Sequence, residues 1–566
     1  MSNLGAFLRK RQNFIALFSL VPIGLWVYSR VWMVNPAILG DEYLYSINAR
    51  KVSPWDPSPA GDFSNYLFNF VYQSTNLCGS SFYSCGKFLN LFFFLAFVFS
   101  LYIVAIRFLP FWASLSFMVA AGLSPLSVYT SMFLPESMYL FFMGLLFISV
   151  LRAINVNTYK AWAAVGLIIG LASLVKPHAW LSAIAVAITL TIVCLGSNNQ
   201  KFRLLSMNLL SLIVSAVLAR AIVGLLVAGP KASGFFGQYL GQSTLEQVVR
   251  GPVGSSDTGI VGSSPMAGVF GLFSVQLNIH LLVMSALMAI SVIAITVGVL
   301  KIFKSKSVSG PAGLALFCFI WFFSLLVEIV IFTGWVTGGG DDHSTRVLLR
   351  YYEFLYLIIP LAGLINLNQQ RSEKTNVLVR WGLVVIFSAL LTQAFSGFFG
   401  MLTIQIADAP TLAGLVVNPD LFNLIAILSL VSILIYATFP RFAVLAAASL
   451  LPFTLVGLGW EIQGQYQGFR ATDNSADLAG KYLATNFEEG IRDRSIIIST
   501  SRFDATLAAL WADSVGISYE LYVPGTQLNG EAYLSKFENV VVVGDISLVN
   551  ALPKTDQDGF RIYSSR

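Results

Sequence analysis

Long apolar runs separated by short polar stretches dominate the chain. Runs near residues 14–34, 88–108, 111–130, 137–153, 161–176, 179–196, 204–228, 277–300, 312–335, 351–368, 381–398, 421–439 and 442–460 each approach the length that carries a helix across a hydrocarbon core. Together they predict roughly thirteen membrane spans. Arg9, Lys10 and Arg11 precede the first run, and each alternate connection after it carries a cation. These are Arg107, Arg152 with Lys160, Lys201 with Arg203, Lys301 with Lys304 and Lys306, Arg371 with Lys374 and Arg380, and Arg441. Basic loops stay in the cytoplasm, so the N-terminus is expected there and, the span count being odd, the C-terminus outside. The first run is span length, long for a signal sequence, and no small-residue cleavage site follows it, so it is expected to remain as a span.

From about Glu461 the pattern changes to dense charge and short runs. Asp493–Thr500 and Asn539–Asp545 read as buried strands, and Phe503–Val515 carries a helical period. The expected fold is therefore a polytopic α-helical membrane protein over residues 1–460, followed by a small extracytoplasmic α/β domain over residues 461–566. The Gly-Asp pair ending the second strand lacks a following Gly-x-Gly-x-x-Gly, so no nucleotide site is read there. Three outer loops, 35–87, 229–276 and 336–350, are long or polar enough to build a site. No internal repeat is evident.

Composition agrees with the pattern. Of 566 residues 56% are hydrophobic and 11% charged, too little polar surface to cover a soluble globule of that size. The net charge of +6 is scattered between apolar runs, so it orients a bilayer protein and forms no nucleic-acid face. Of the four cysteines, Cys194 and Cys318 lie inside apolar runs as packing residues, whereas Cys78 and Cys85 share the first outer loop and are a candidate disulfide in an oxidising compartment.

Charged groups at the edge of a membrane have a task or a partner. Four places qualify: Asp41 with Glu42, Glu136, Lys176 near His178, and the stretch from Arg346 to Glu353. All are expected on the outer side, where opposite charges supply a general base and cations for an anionic leaving group. Each also has a plain structural reading. Paired carboxylates cap a helix start, a Glu after Pro135 is an ordinary first-turn residue, Lys176 can snorkel from a span end, and His178 can be a satisfied polar group. Asp341, Asp342 and His343 can offer metal ligands, but three consecutive side chains do not converge easily on one ion, and a solvated turn suits them better.

In order against the expected topology, these segments resemble the GT-C glycosyltransferases that use lipid-linked phosphosugars, in particular the branch of protein O-mannosyltransferases and the lipid A aminoarabinose transferase. The resemblance rests on Gly40-Asp-Glu-Tyr43 after the first span, Leu134-Pro-Glu-Ser137, Gly170-Leu-Ala-Ser-Leu-Val-Lys176 and Arg350-Tyr-Tyr352, and it spans roughly the first 370 residues. It implies a multi-pass enzyme of the bacterial cytoplasmic (inner) membrane whose donor is a polyprenyl-phosphate sugar and whose acceptor is a glycan, lipid or protein hydroxyl. Asp41 would be the base, with Glu42 orienting the acceptor or holding the loop. Lys176 and Arg350, with Arg346 and His178, would bind the donor phosphate, and Glu136, Tyr43 and Tyr351 would line the substrate site. No cofactor is expected to be required. Some GT-C enzymes hold a divalent cation, for which Asp41, Glu136 and Asp341 are the alternative ligands. Two other readings stay open, a transporter or flippase of lipid-linked glycans and a non-catalytic subunit of a glycan-assembly complex. Charges clustered on one side and the absence of paired halves count against the transporter.

Overall fold

The computed structural model describes residues 2–37, 39–53, 55, 64–196, 201–233, 265–305, 308, 310–335, 347–370, 377–395, 404–557 and 559–565. Apolar runs become helices because a backbone in hydrocarbon must satisfy its own hydrogen bonds. In chain order these include α1 (Ser2–Val31), α2 (Leu39–Arg50), α3 (Tyr66–Tyr72), α4 (Phe82–Ala105), α5 (Phe111–Gly122), α6 (Glu136–Val156), α7 (Tyr159–Val175), α8 (Ala179–Leu195) and α9 (Lys201–Ala228). The bundle continues through α10 (Pro265–Ser305), α11 (Gly310–Trp335), α12 (Leu355–Gln370), α13 (Val377–Phe395), α14 (Pro410–Val417), α15 (Pro419–Thr438) and α16 (Pro440–Arg470).

Among the described residues nine helices are long and apolar enough to cross a membrane, and α5 with the 3-10 turn Pro125–Ser131 forms a tenth candidate bent by 47°. The runs at 161–176, 179–196 and 351–368 form shorter helices of 17, 17 and 16 residues. The ends of two of them build the site. Pro177 disfavours helical backbone at the residue before it, so Lys176 is extended (φ −143°, ψ 125°) and ends α7. The 3-10 turn Leu349–Tyr351 ends where the run 351–368 was expected to begin, and α12 starts only at Leu355.

Close helix packing fixes where α7 delivers Lys176. A Cβ on Gly166 or Gly170 would lie 2.1 Å from the Leu212 carbonyl oxygen or 2.3 Å from that of Ala216, so only glycine lets α7 and α9 approach as they do.

The boundary expected at Glu461 falls inside α16, which runs on to Arg470 because Leu458, Ile462 and Tyr466 keep a buried stripe at helical spacing. Beyond it lie α17 (Ser475–Asn486), α18 (Glu489–Arg492), β1 (Ser495–Ser499), α19 (Arg502–Ala512), β2 (Ser518–Leu521), β3 (Thr526–Asn529), α20 (Gly530–Leu534), β4 (Asn539–Val543), β5 (Ile546–Val549), β6 (Thr555–Gln557) and β7 (Phe560–Ser564). The main sheet has the order β2-β1-β4-β7-β6, parallel across β2, β1 and β4 and antiparallel from β4 to β6, and β3 pairs with β5. Strands β1 and β4 are buried along their whole length, which explains their unbroken apolar sequence. Helix α19 packs against α2, so this domain sits at the end of the bundle that carries Asp41.

Candidate active site

Four separated segments meet at that end. Helix α2 begins with Asp41 in its first turn, and the carboxylate accepts a hydrogen bond from Arg350 Nη1 at 3.0 Å. Asp41 keeps 35% of its side chain exposed and Arg350 only 15%, so the acid faces solvent more than its partner does. Arg350 is fixed from behind: its amide donates to the Asp408 carbonyl at 2.7 Å, and its guanidinium lies 3.8 Å from the Asp408 carboxylate.

Lys176, freed from α7 by Pro177, donates to Glu136 at 2.7 Å, with each side chain 4% exposed. Glu136 opens α6, where the positive end of the helix favours an anion. His178 forms an ion-pair contact with Glu328 of α11. Tyr351 lies at the centre of these groups. Lys176 Nζ is 5.7 Å and the Arg350 guanidinium 5.5 Å from its ring centroid, and the His178 ring meets it edge-on at 4.7 Å. An aromatic face attracts cations without neutralising them, so two cations and an imidazole are gathered around one ring.

The two adjacent carboxylates part company. Glu42 is fully buried and accepts from the Ala37 amide at 2.9 Å, the Tyr83 hydroxyl at 2.6 Å and the Phe133 amide at 2.8 Å. It holds the loop between α1 and α2 to α4 and to the chain before α6, and its filled acceptors leave it no part in proton transfer. Tyr43 also departs from the expected substrate site: it packs on the C-terminal domain and donates to the Ser514 carbonyl at 3.3 Å. Burial pushes its hydroxyl up to about 12, so it stays a donor at neutral pH.

Two carboxylates of this region, Glu328 and Asp408, escaped sequence reasoning, and Glu353 was named only as the end of a charged stretch. Glu328 had a usable signal, a lone acid inside the apolar run Gly310–Trp335. Asp408 carried none. Glu353 is buried and accepts from the Tyr129 hydroxyl at 2.6 Å, the Thr411 amide at 2.8 Å and the Thr411 hydroxyl, joining the start of α12 to α14 and the 3-10 turn before α6. Cys78 and Cys85 are bridged. Arg346, Asp341, Asp342 and His343 lie outside the described residues.

No group of three or more His, Cys, Asp or Glu among the described residues is arranged to hold a metal ion. Asp41 pairs with Arg350 and Glu136 with Lys176.

No family model matches the sequence, and no curated protein matches it. Among solved structures, the chain is similar to ArnT from Cupriavidus metallidurans bound to undecaprenyl phosphate, with 12% identity, 97% of this chain and 98% of that chain covered, and a TM-score of 0.45. The apo form of ArnT gives 12% identity, the same coverages and a TM-score of 0.43. The archaeal oligosaccharyltransferase AglB from Archaeoglobus fulgidus, in complex with an inhibitory peptide and a dolichol-phosphate, gives 11% identity, 94% and 69% coverage, and a TM-score of 0.42.

Proposed function

We propose that this chain is a membrane glycosyltransferase that moves a sugar from a polyprenyl-phosphate donor to an acceptor hydroxyl on the extracytoplasmic face by a single inverting displacement. The observation that carries the reading is the ion pair between partly exposed Asp41 and Arg350, set beside Lys176 on the ring of Tyr351. A donor phosphate reaching Arg350 would replace Asp41 as its partner and leave the carboxylate free to accept a proton.

The acceptor oxygen attacks the anomeric carbon while its proton passes to Asp41, and the bond from that carbon to the phosphate oxygen breaks with its electron pair staying on the phosphate. Buried Lys176 and largely covered Arg350 stabilise that charge better than water would because they are held in place beforehand. His178 adds a donor, and Glu136 and Glu328 hold Lys176 and His178 in place. Glu42 is committed elsewhere, and the reaction needs no second carboxylate because no covalent intermediate forms. The lipid tail of the donor explains why such a site belongs at the rim of a helical bundle.

The test is transfer from an isotopically labelled polyprenyl-phosphate sugar by the purified protein in liposomes, with the anomeric configuration of the product read by NMR. Inversion supports the reading. Retention of configuration, or movement of the labelled lipid across the bilayer without transfer, overturns it.

A further inference from the structure

Helix α2 is held at two places by two different bodies. Its first turn is tied into the membrane bundle through Glu42, and its far end is tied to the C-terminal domain. There Arg50 lays its guanidinium on the Asp513 carboxylate in two hydrogen bonds of 2.6 and 3.1 Å. Lys51 reaches Glu489 at 2.9 Å and Asp513 at 3.3 Å. Arg50 also lies over the Phe82 ring at 3.5 Å, and Phe82 and Tyr83 both meet Trp511 of α19.

The geometry of a helix makes these ties specific. At 3.6 residues per turn, Tyr43 and Arg50 fall within about 20° of each other around the axis, and each lies about 160–180° from Asp41. The face that docks on α19 is thus opposite the one that shows Asp41 to Arg350. Asp513 suits its part in the contact: it ends α19 in the left-handed conformation (φ 53°), which Asp tolerates better than most residues.

We propose that the C-terminal domain sets the rotation of α2 and so aims Asp41 at Arg350, with Asp513 as the positioning residue. The proposal rests on Asp41 being the base of the transfer reaction. Tilt and rotation of a 12-residue helix are not fixed by its first turn alone, and a misplacement of about 1 Å at a reacting group costs on the order of 100-fold in rate.

The test uses the full-length protein carrying Asp513→Ala, with Asp513→Asn as the conservative variant. Turnover of polyprenyl-phosphate sugar is measured together with hydrogen exchange of the α2 amides. Asp513→Ala is expected to lower kcat by about 10- to 100-fold with KM for the donor changed less than twofold, while α2 exchanges faster. Asp513→Asn, which keeps the left-handed turn and one acceptor for Arg50, should recover much of both. If Asp513→Ala does not fold, Tyr43→Phe takes its place, since it removes only the hydroxyl that reaches Ser514, and faster α2 exchange is again expected. Unchanged α2 exchange, or kcat within twofold of the parent, overturns the proposal. Faster α2 exchange combined with an active Asp41→Asn protein would leave the docking role standing and sink the assignment of Asp41 as base instead.

Discussion

The pair Arg470 and Asp477 and the charges around Tyr351 are both buried at the same end of the bundle, yet they are built differently. Asp477 accepts from Arg470 twice at 2.9 Å, from Trp511 Nε1 at 2.7 Å and from the Asn474 amide at 2.9 Å, while Arg470 Nε donates to the Pro36 carbonyl at 2.6 Å. Around Tyr351, one oxygen of Glu136, one oxygen of Glu328 and Nε of Arg350 are buried with no hydrogen-bond partner among the described residues. A buried ion pair with every position filled can only hold parts together. One with positions unfilled can take up another polar group, and a buried group without a partner calls for an explanation.

The contrast can be broken from either side, and the largest effect is expected at Asp41, the proposed base. Asp41→Asn should lower turnover of labelled donor by about 10²- to 10⁴-fold while binding of the labelled polyprenyl-phosphate sugar is kept. A loss of less than tenfold would erase the distinction between the two regions. Next, Asp477→Leu strands Arg470 in a buried setting and should cost about 3–5 kcal/mol, read as a lowered thermal midpoint in detergent. Arg350→Gln should act in the opposite way, lowering turnover about 10²- to 10³-fold with a smaller loss of melting temperature than Asp477→Leu, because its partner Asp41 is partly solvated and buried Asp408 is a longer 3.8 Å contact. An equal loss of stability in both variants would mean that the Arg350 pair is merely architectural. The smallest effect should come from Lys481→Ala. Its bond to Asp473 is 2.7 Å long, but both side chains are about one-third exposed, so the change should stay below about 1 kcal/mol.

Much of the fold was legible because hydrophobic period and length speak directly about bilayers. The expected runs coincide with helices, and the strands at Ser495–Ser499 and Asn539–Val543 fall inside the segments read as strands. Helix ends were less legible: Pro177 announces the end of α7, but the 3-10 turn at Leu349 has no local signature. In the candidate site, Asp41, Glu136, Lys176 and Arg350 stood out as charges at membrane edges, whereas which of them pair did not. Arg350 is 309 residues from Asp41, and no local pattern encodes a pairing across that separation. Neighbours in sequence were also misleading as guides to role. Asp41, Glu42 and Tyr43 share one turn, but each points about 100° from the next, so the three meet different surroundings.

The docking of α19 on α2 also bears on biosynthesis. Asp41 leaves the ribosome early, while Arg470, Asp477 and Asp513, which hold the loop before its helix and the helix's far end, emerge more than 400 residues later. A chain cut short in translation therefore carries its acid without the mount that aims it. On the proposed role of Asp513, a copy that ends before that residue is expected to lose turnover while its bundle still folds.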